Sequence, residues 1–391
     1  MTLGRATTAL AATAATVLAV VACGDDSLFG ADGRDGAAGA DAGSQSPDAG
    51  LGGVDGEAVG SASGVVIVHA AAFPAFRLCF EHYPELPPQP DRVVMPEANV
   101  VGVEVGSVVR IAPLTRPPGK VFVIAQRKVA AAPAETTQSC GELLDPAALL
   151  ANSDYYEAGE LTTPLGVENV SLLAIAGCGG LSYLNALGVP ASDCGAGYDG
   201  VYGSLEAKTL ALLPSIVATE RSLPVQIVHL STLLDDSRAT GERLEVTFGA
   251  FEDAGAGALE QSVAVDPPLF DPSAPVTLSL DQTTESMYGT HGFRIARVPE
   301  GDGTATFTFD QSLAEVQQLS SPRAVPTTYY LSASNYVLLL LGDPRIAPTF
   351  ADGGTNPTFD RRRAVHLLAV PVKEPEEAAP PAALDAGADD R

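Results

Sequence analysis

Two stretches about 160 residues apart carry nearly the same strand: Val65, Val66, Ile67, Val68, His69 and Ala70 are matched by Val225, Gln226, Ile227, Val228, His229 and Leu230. Other landmarks keep a similar offset. Asn169 to Gly177, with Leu172 and Leu173, answers to Asn335 to Gly342, with Leu338 to Leu341, and the run Leu210 to Pro214 answers to Leu367 to Pro371. Several landmarks at near-constant spacing predict duplication of one folding unit of about 150 residues, which limits the chain to architectures that such a unit can form twice.

What that unit is follows from periodicity. Apolar runs of four to eight residues alternate with turn signals, which predicts strands near 65–70, 76–82, 100–111, 120–127, 167–176 and 205–213 in the first unit. In the second they fall near 224–230, 243–251, 276–281, 291–297, 304–309, 327–341 and 363–370. Ala305, Phe307 and Phe309 alternate with Thr304, Thr306 and Thr308, the pattern of a strand with one wet face. The 39 Gly and 30 Pro of the 391 residues fit many turns rather than long helices. Short helices are expected after Asp145 and Pro146, over Ala147 to Leu150, and over Leu313 to Leu319 after Asp310 or Ser312. With no long crossover helix in sight, the expectation is an all-β chain of two tandem antiparallel β-sandwich lobes, immunoglobulin-like or related, over 63–219 and 220–372.

The flanks read differently. A short segment with Arg5, an apolar Ala-rich stretch from Ala6 to Ala22, then Cys23 and Gly24 have the layout of an export signal over residues 1–22. Val20, Val21, Ala22 and Cys23 resemble a bacterial lipobox, which implies acylation of Cys23 as the mature first residue. A released soluble protein and an uncleaved anchor are the alternatives; the many threonines and alanines argue against a true membrane span. Residues 23–62 are Gly, Ala, Asp and Ser with almost nothing to bury, and 373–391 hold six acids, so both are expected to be disordered, the first as a tether and the second as an acidic tail. The expected location is the cell envelope, lipid-anchored. Gly24 after the cysteine, where an aspartate would signal retention in some bacteria, favours the outer membrane.

Export also bears on the thiols. With Cys23 set aside, Cys79, Cys140, Cys178 and Cys194 form an even set, and an oxidising compartment suggests two disulfides. Of three possible pairings, Cys178 with Cys194 is preferred because they flank a short Gly-rich segment, which leaves Cys79 with Cys140. Metal ligation is the competing use. Its support is thin, since Cys79 and His82 have no second ligand pair at zinc spacing.

The opening strands resemble those of an uncharacterised family of exported bacterial β-domains, often lipoproteins, whose repeats begin with a Val-Val-His-Ala type strand. The likeness spans most of residues 64–372; the long insertions after His69 and His229 depart from its compact pattern. It implies the fold and an envelope location, and transfers no catalytic residue.

Functional classes narrow accordingly. A formal net charge of -26, from 48 acidic and 22 basic residues, opposes nucleic acid and anionic lipid headgroups as partners. No phosphate loop, dinucleotide fingerprint or His-Glu-x-x-His motif occurs, and Ser182 lacks the second glycine of a nucleophile elbow. His69 and His229, at equivalent strand ends, read as structural histidines rather than ligands, and His82, His291 and His366 as surface or partly buried. Asp235 with Asp236, Glu252 with Asp253, and Glu300 with Asp302 lack the ordered spacing of a calcium loop. The run Arg361 to Arg363 is expected to lead into the last strand and to pair with the acidic tail, an anion site being the alternative. Zero Trp weakens, without removing, a carbohydrate-binding reading. The expectation is a non-enzymatic binding or structural module with no cofactor and no metal, whose partners are the membrane and an envelope protein or polysaccharide. The alternative is an envelope hydrolase or carbohydrate-active protein.

Overall fold

The computed structural model describes residues 63–90, 102–126, 138–145, 155–195, 197–210, 222–236, 239–251, 261–279, 287–301, 303–320, 335–347 and 359–371, with a few isolated positions between them. The first half runs β1 (Gly64–His69), β2 (Phe76–Phe80), β3 (Val108–Ile111), β4 (Gly119–Ala125), α1 (Cys140–Leu144), β5 (Tyr155–Leu161), β6 (Val170–Ala176), α2 (Leu181–Leu187) and β7 (Glu206–Leu210). The second runs β8 (Ser222–His229), α3 (Thr232–Asp236), β9 (Glu242–Ala250), β10 (Gln261–Val265), β11 (Val276–Ser279), β12 (His291–Pro299), β13 (Phe307–Ser312), α4 (Leu313–Ser320), β14 (Tyr336–Leu341) and β15 (His366–Pro371). The chain is mostly β, with few and short helices.

The strands form four sheets, and their orders repeat. One sheet of the first half is β3-β1-β6-β7, and its counterpart in the second is β11-β8-β14-β15. The other pair is β2-β4-β5 and β10-β9-β12-β13, identical in plan once β10 is set aside. In each half the two sheets enclose a core: Val65 and Ile67 of β1 meet Phe76, Leu78, Val121 and Val123 of the facing sheet, and Val225 and Ile227 of β8 meet Val246, Phe248, Phe293 and Ile295.

The expectation of purely antiparallel sheets is corrected at the centre of each half. β1 and β6 pair in parallel, Val66 opposite Leu172, and so do β8 and β14, Ile227 opposite Leu338. A parallel pair needs a long crossover. Here the chain makes that crossover by building the facing sheet, β2, β4 and β5 in the first half and β9, β10, β12 and β13 in the second, with β3 and β11 returning on the way to flank β1 and β8, so the missing helix was no guide to strand direction.

The parallel strands are buried on both faces, which is why they read as unbroken apolar runs. Val66, Val68, Leu172 and Ala174 point away from the core of the first half and pack with Val228, Val337, Leu339, Leu341 and Leu368 of the second. Each Leu or Val withdrawn from water there contributes roughly 1.5–3 kcal/mol. The described residues of both halves accordingly belong to a single compact unit.

Two disulfides lie in the first half: Cys79–Cys140, with Cα atoms 5.5 Å apart, and Cys178–Cys194, at 5.7 Å. The first ties α1 to the outer face of β2, where Ile124, Val129 and Leu143 complete a small apolar cluster. Several sequence boundaries also move. β5 and β10 are strands where none was expected, and of the described residues 102–111 only Val108–Ile111 is strand. The helix expected over 147–150 falls outside the described residues; Asp145 instead ends α1, which starts at a capping box formed by Ser139 and Glu142. α4 lies where expected and starts on the matching box of Ser312 and Glu315.

Candidate functional site

The C-terminal ends of the parallel strands from both halves converge on one cleft. It is half-open, about 530 Å³ including its mouth, and His69, Ser231, Asp343, Arg362 and Arg363 are among its lining residues. The chain enters β1 at Gly64 and leaves β15 at Pro371, and the register places both at the opposite end of their sheets, Gly64 beside Val170 and Pro371 beside Tyr336.

Each half brings the end of its first strand to this region in the same way. His69 offers its carbonyl to the backbone N–H of Gly106 at 3.1 Å, and His229 offers its own to Phe270 at 2.9 Å. Both rings are buried. The His69 ring lies 4.5 Å from that of Phe76, with Nδ1 3.1 Å from the Val103 carbonyl and Nε2 buried without a hydrogen-bond partner. Burial holds its pKa down at about 4, so the ring is neutral at pH 7, with Nδ1–H donating and Nε2 carrying a lone pair.

His366 corrects the sequence reading, which placed it at or near the surface. It is fully buried, because β15 is flanked by α4 on one side and the junction with the first half on the other. Its Nδ1 sits 2.7 Å from the Ala364 carbonyl and its Nε2 3.0 Å from the carbonyl of Gly106, across the junction. Burial lowers its pKa to about 4. The close approach depends on glycine: Gly106 has φ +64°, and a Cβ there would lie 1.9 Å from the Arg362 carbonyl.

The arginine run divides three ways. Arg361 stacks on Phe309 and reaches Glu315 at 3.6 Å. Arg363 donates to the Leu187 carbonyl at 2.6 Å. Arg362 has its backbone N–H fixed by the Asp360 carboxylate at 3.0 Å, and its guanidinium has no partner among the described residues. The acidic tail expected to meet this run lies outside the described residues. Asp343 is committed elsewhere, bonded to Arg345 at 2.9 and 2.6 Å, and Arg345 also pairs with Asp193 of the first half.

A histidine, a serine and a carboxylate thus line one cleft, yet they are not connected as a nucleophilic triad. Ser231 Oγ donates to the Gly342 carbonyl and accepts from the Leu234 N–H. The carboxylate of Asp343 holds Arg345 rather than an imidazole, and His69 presents Nδ1 to a backbone carbonyl. A base with its pKa near 4 is also a poor proton acceptor for a serine hydroxyl at pH 7.

The remaining sequence candidates do not gather here. His82 bonds the Pro117 carbonyl at 2.9 Å on the surface, and His291 the Thr290 hydroxyl at 2.9 Å. Glu252, Asp253 and Asp302 fall outside the described residues, as does Cys23. Among the described residues no group of three His, Cys, Asp or Glu side chains could hold a metal ion, and no helix is long and apolar enough to cross a membrane.

No family model matches the chain, and no curated protein matches it. Among solved structures, one described as a putative cell adhesion protein from Parabacteroides distasonis shares 11% identity over 81% of this chain and 98% of its own. Its TM-score of 0.16 is too low to speak for a shared fold.

Proposed function

We propose that this chain is a non-enzymatic binding or structural module of the bacterial cell envelope: two duplicated sandwich lobes of mixed strand direction, held on a tether that begins at an acylated Cys23. The observation that carries the reading is the polarity of the described unit. The end at which the chain enters and leaves is opposite the cleft where both halves meet, so a module anchored through residues 23–62 would present that cleft outward. About 39 tether residues behaving as a flexible coil would span on the order of 35 Å, enough to clear a headgroup layer. The partner is an envelope protein or polysaccharide.

The test is fractionation of the native cells with mass spectrometry of the N-terminal peptide. A diacylated peptide beginning at Cys23 in the membrane fraction is the expected result; an unprocessed Met1 peptide from the cytoplasm would overturn the assignment. The hydrolase alternative draws on the presence of His69, Ser231 and Asp343 in one cleft. Labelling of Ser231 by a fluorophosphonate would favour it over the non-enzymatic reading.

A further inference from the structure

The cleft is bordered by two arginines for which no carboxylate partner occurs among the described residues. Arg116 pairs with Glu85, Arg243 with Glu245, Arg294 with Asp310 and Arg361 with Glu315, while Arg77 bonds the Gln126 amide and Arg110 and Arg297 bond backbone carbonyls. Arg363 spends a donor on a carbonyl, and Arg362 has no partner among the described residues. Their position is fixed by backbone, since Asp360 caps the turn and the Arg362 carbonyl packs on Gly106. The Asp343 carboxylate, which could have neutralised them, is held by Arg345. Val105, Leu187, Val189 and Ile346 line the same cleft as the two arginines and supply its apolar wall.

We propose that the cleft binds a small organic carboxylate, with Arg362 as its principal counter-ion, Arg363 as a second donor and the apolar wall against its hydrocarbon part. A guanidinium matches a planar carboxylate with paired N–H donors, and the apolar wall disfavours a fully hydrated inorganic anion. This deepens the binding reading proposed above and rests on it for biological meaning, though the chemistry can be tested without it.

The probe is butyrate, with butyramide as its uncharged isostere, against the purified mature chain in detergent, read by saturation-transfer NMR. Butyrate is expected to give contacts that butyramide does not, and Arg362→Gln to weaken butyrate about tenfold, the loss of roughly one charge-assisted hydrogen bond. Arg294→Gln, at an ion-paired arginine on another sheet, should leave binding unchanged, and the thermal midpoint of Arg362→Gln should stay at the wild-type value. No contact from butyrate, equal contact from butyramide or inorganic phosphate, or undiminished binding in Arg362→Gln would each overturn the proposal. A cytoplasmic location with butyrate binding intact would sink the envelope reading alone.

Discussion

The two halves of the molecule follow one strand plan but close their cores by different means. In the first, the sheet facing β1 and β6 has three strands of five to seven residues, and the chain adds two disulfides. In the second, β9 and β12 are nine residues each and pair along their whole length, His291 opposite Ala250 through Pro299 opposite Glu242, with no cysteine in this half. There Gln311, fully buried on β13, reaches β15 and satisfies both backbone groups of Leu367, donating to its carbonyl at 3.1 Å and accepting from its N–H at 2.7 Å. The difference teaches that this plan leaves the facing sheet as the weaker layer. A longer ladder with a polar clamp secures it in one half and the Cys79–Cys140 link from β2 to α1 secures it in the other, while Cys178–Cys194 ties the segment after β6 to the turn at 191–194.

The largest expected effect comes from removing those links. Replacing Cys79 and Cys140 by alanine opens a loop of 61 residues, which in the chain-entropy model costs about 4 kcal/mol, and opening the 16-residue Cys178–Cys194 loop costs about 3 kcal/mol. After loss of Cys79–Cys140, hydrogen exchange should show protection lost first in β2, β4 and β5 while β9 and β12 hold; after loss of Cys178–Cys194 it should fall first in α2 and the segment after β6. Uniform loss across both halves would dissolve the comparison, because it would mean that the junction makes them one cooperative unit.

A substitution at the junction sharpens the same question from the other side. Leu339 on β14 is fully buried on the face shared with the first half. Leu339→Ala should cost about 4 kcal/mol, within the usual range for a buried leucine, and should lower protection in β1 and β6 as well as in β8 and β14. Protection lost in the second half alone would show that the apolar face joins the halves without coupling them.

How much of this was legible beforehand depended on whether a residue's partner was local. Strand-forming runs such as Val65 to Val68 and Tyr336 to Leu341 announce themselves because burial on both faces demands unbroken apolar sequence. The even cysteine count pointed to two disulfides for a similarly simple reason. β5 was missed because its half-wet sequence, Tyr155 to Leu161, carries Glu157, Gly159 and Glu160 among its inward residues, and its partner β4 lies far back in the chain. The capping boxes Ser139 to Glu142 and Ser312 to Glu315 were a readable signal of helix starts, and Asp145 was chosen instead for its neighbouring proline. The cleft could not be read at all. Arg362 and Gly106 meet only because two sheets pack back to back, and nothing periodic in the sequence encodes a contact between residues 106 and 366.

Acid provides the smallest effect and acts through two of the three buried histidines, His69 and His366. Both rings are neutral at pH 7, with pKa values lowered to about 4 by burial, whereas an unfolded chain takes up the proton near 6.5. Between those values the unfolded state binds more protons, so stability is complete above pH 6.5 and falls as the pH drops toward 4; His69 contributes a loss on the order of 3 kcal/mol. His366 acts in the same direction and by a similar amount. A neutral ring can donate to only one of the two carbonyls it faces and the imidazolium to both, but burial together with repulsion from Arg361 and Arg362 outweighs that gain. Urea midpoints at pH 7 and pH 4.5 for wild type, His69→Gln and His366→Gln cancel the carboxylates common to all three proteins. His69→Gln and His366→Gln should each flatten the acid loss by a similar amount; an unchanged acid loss in either variant would mean that its ring is not held neutral in the folded chain.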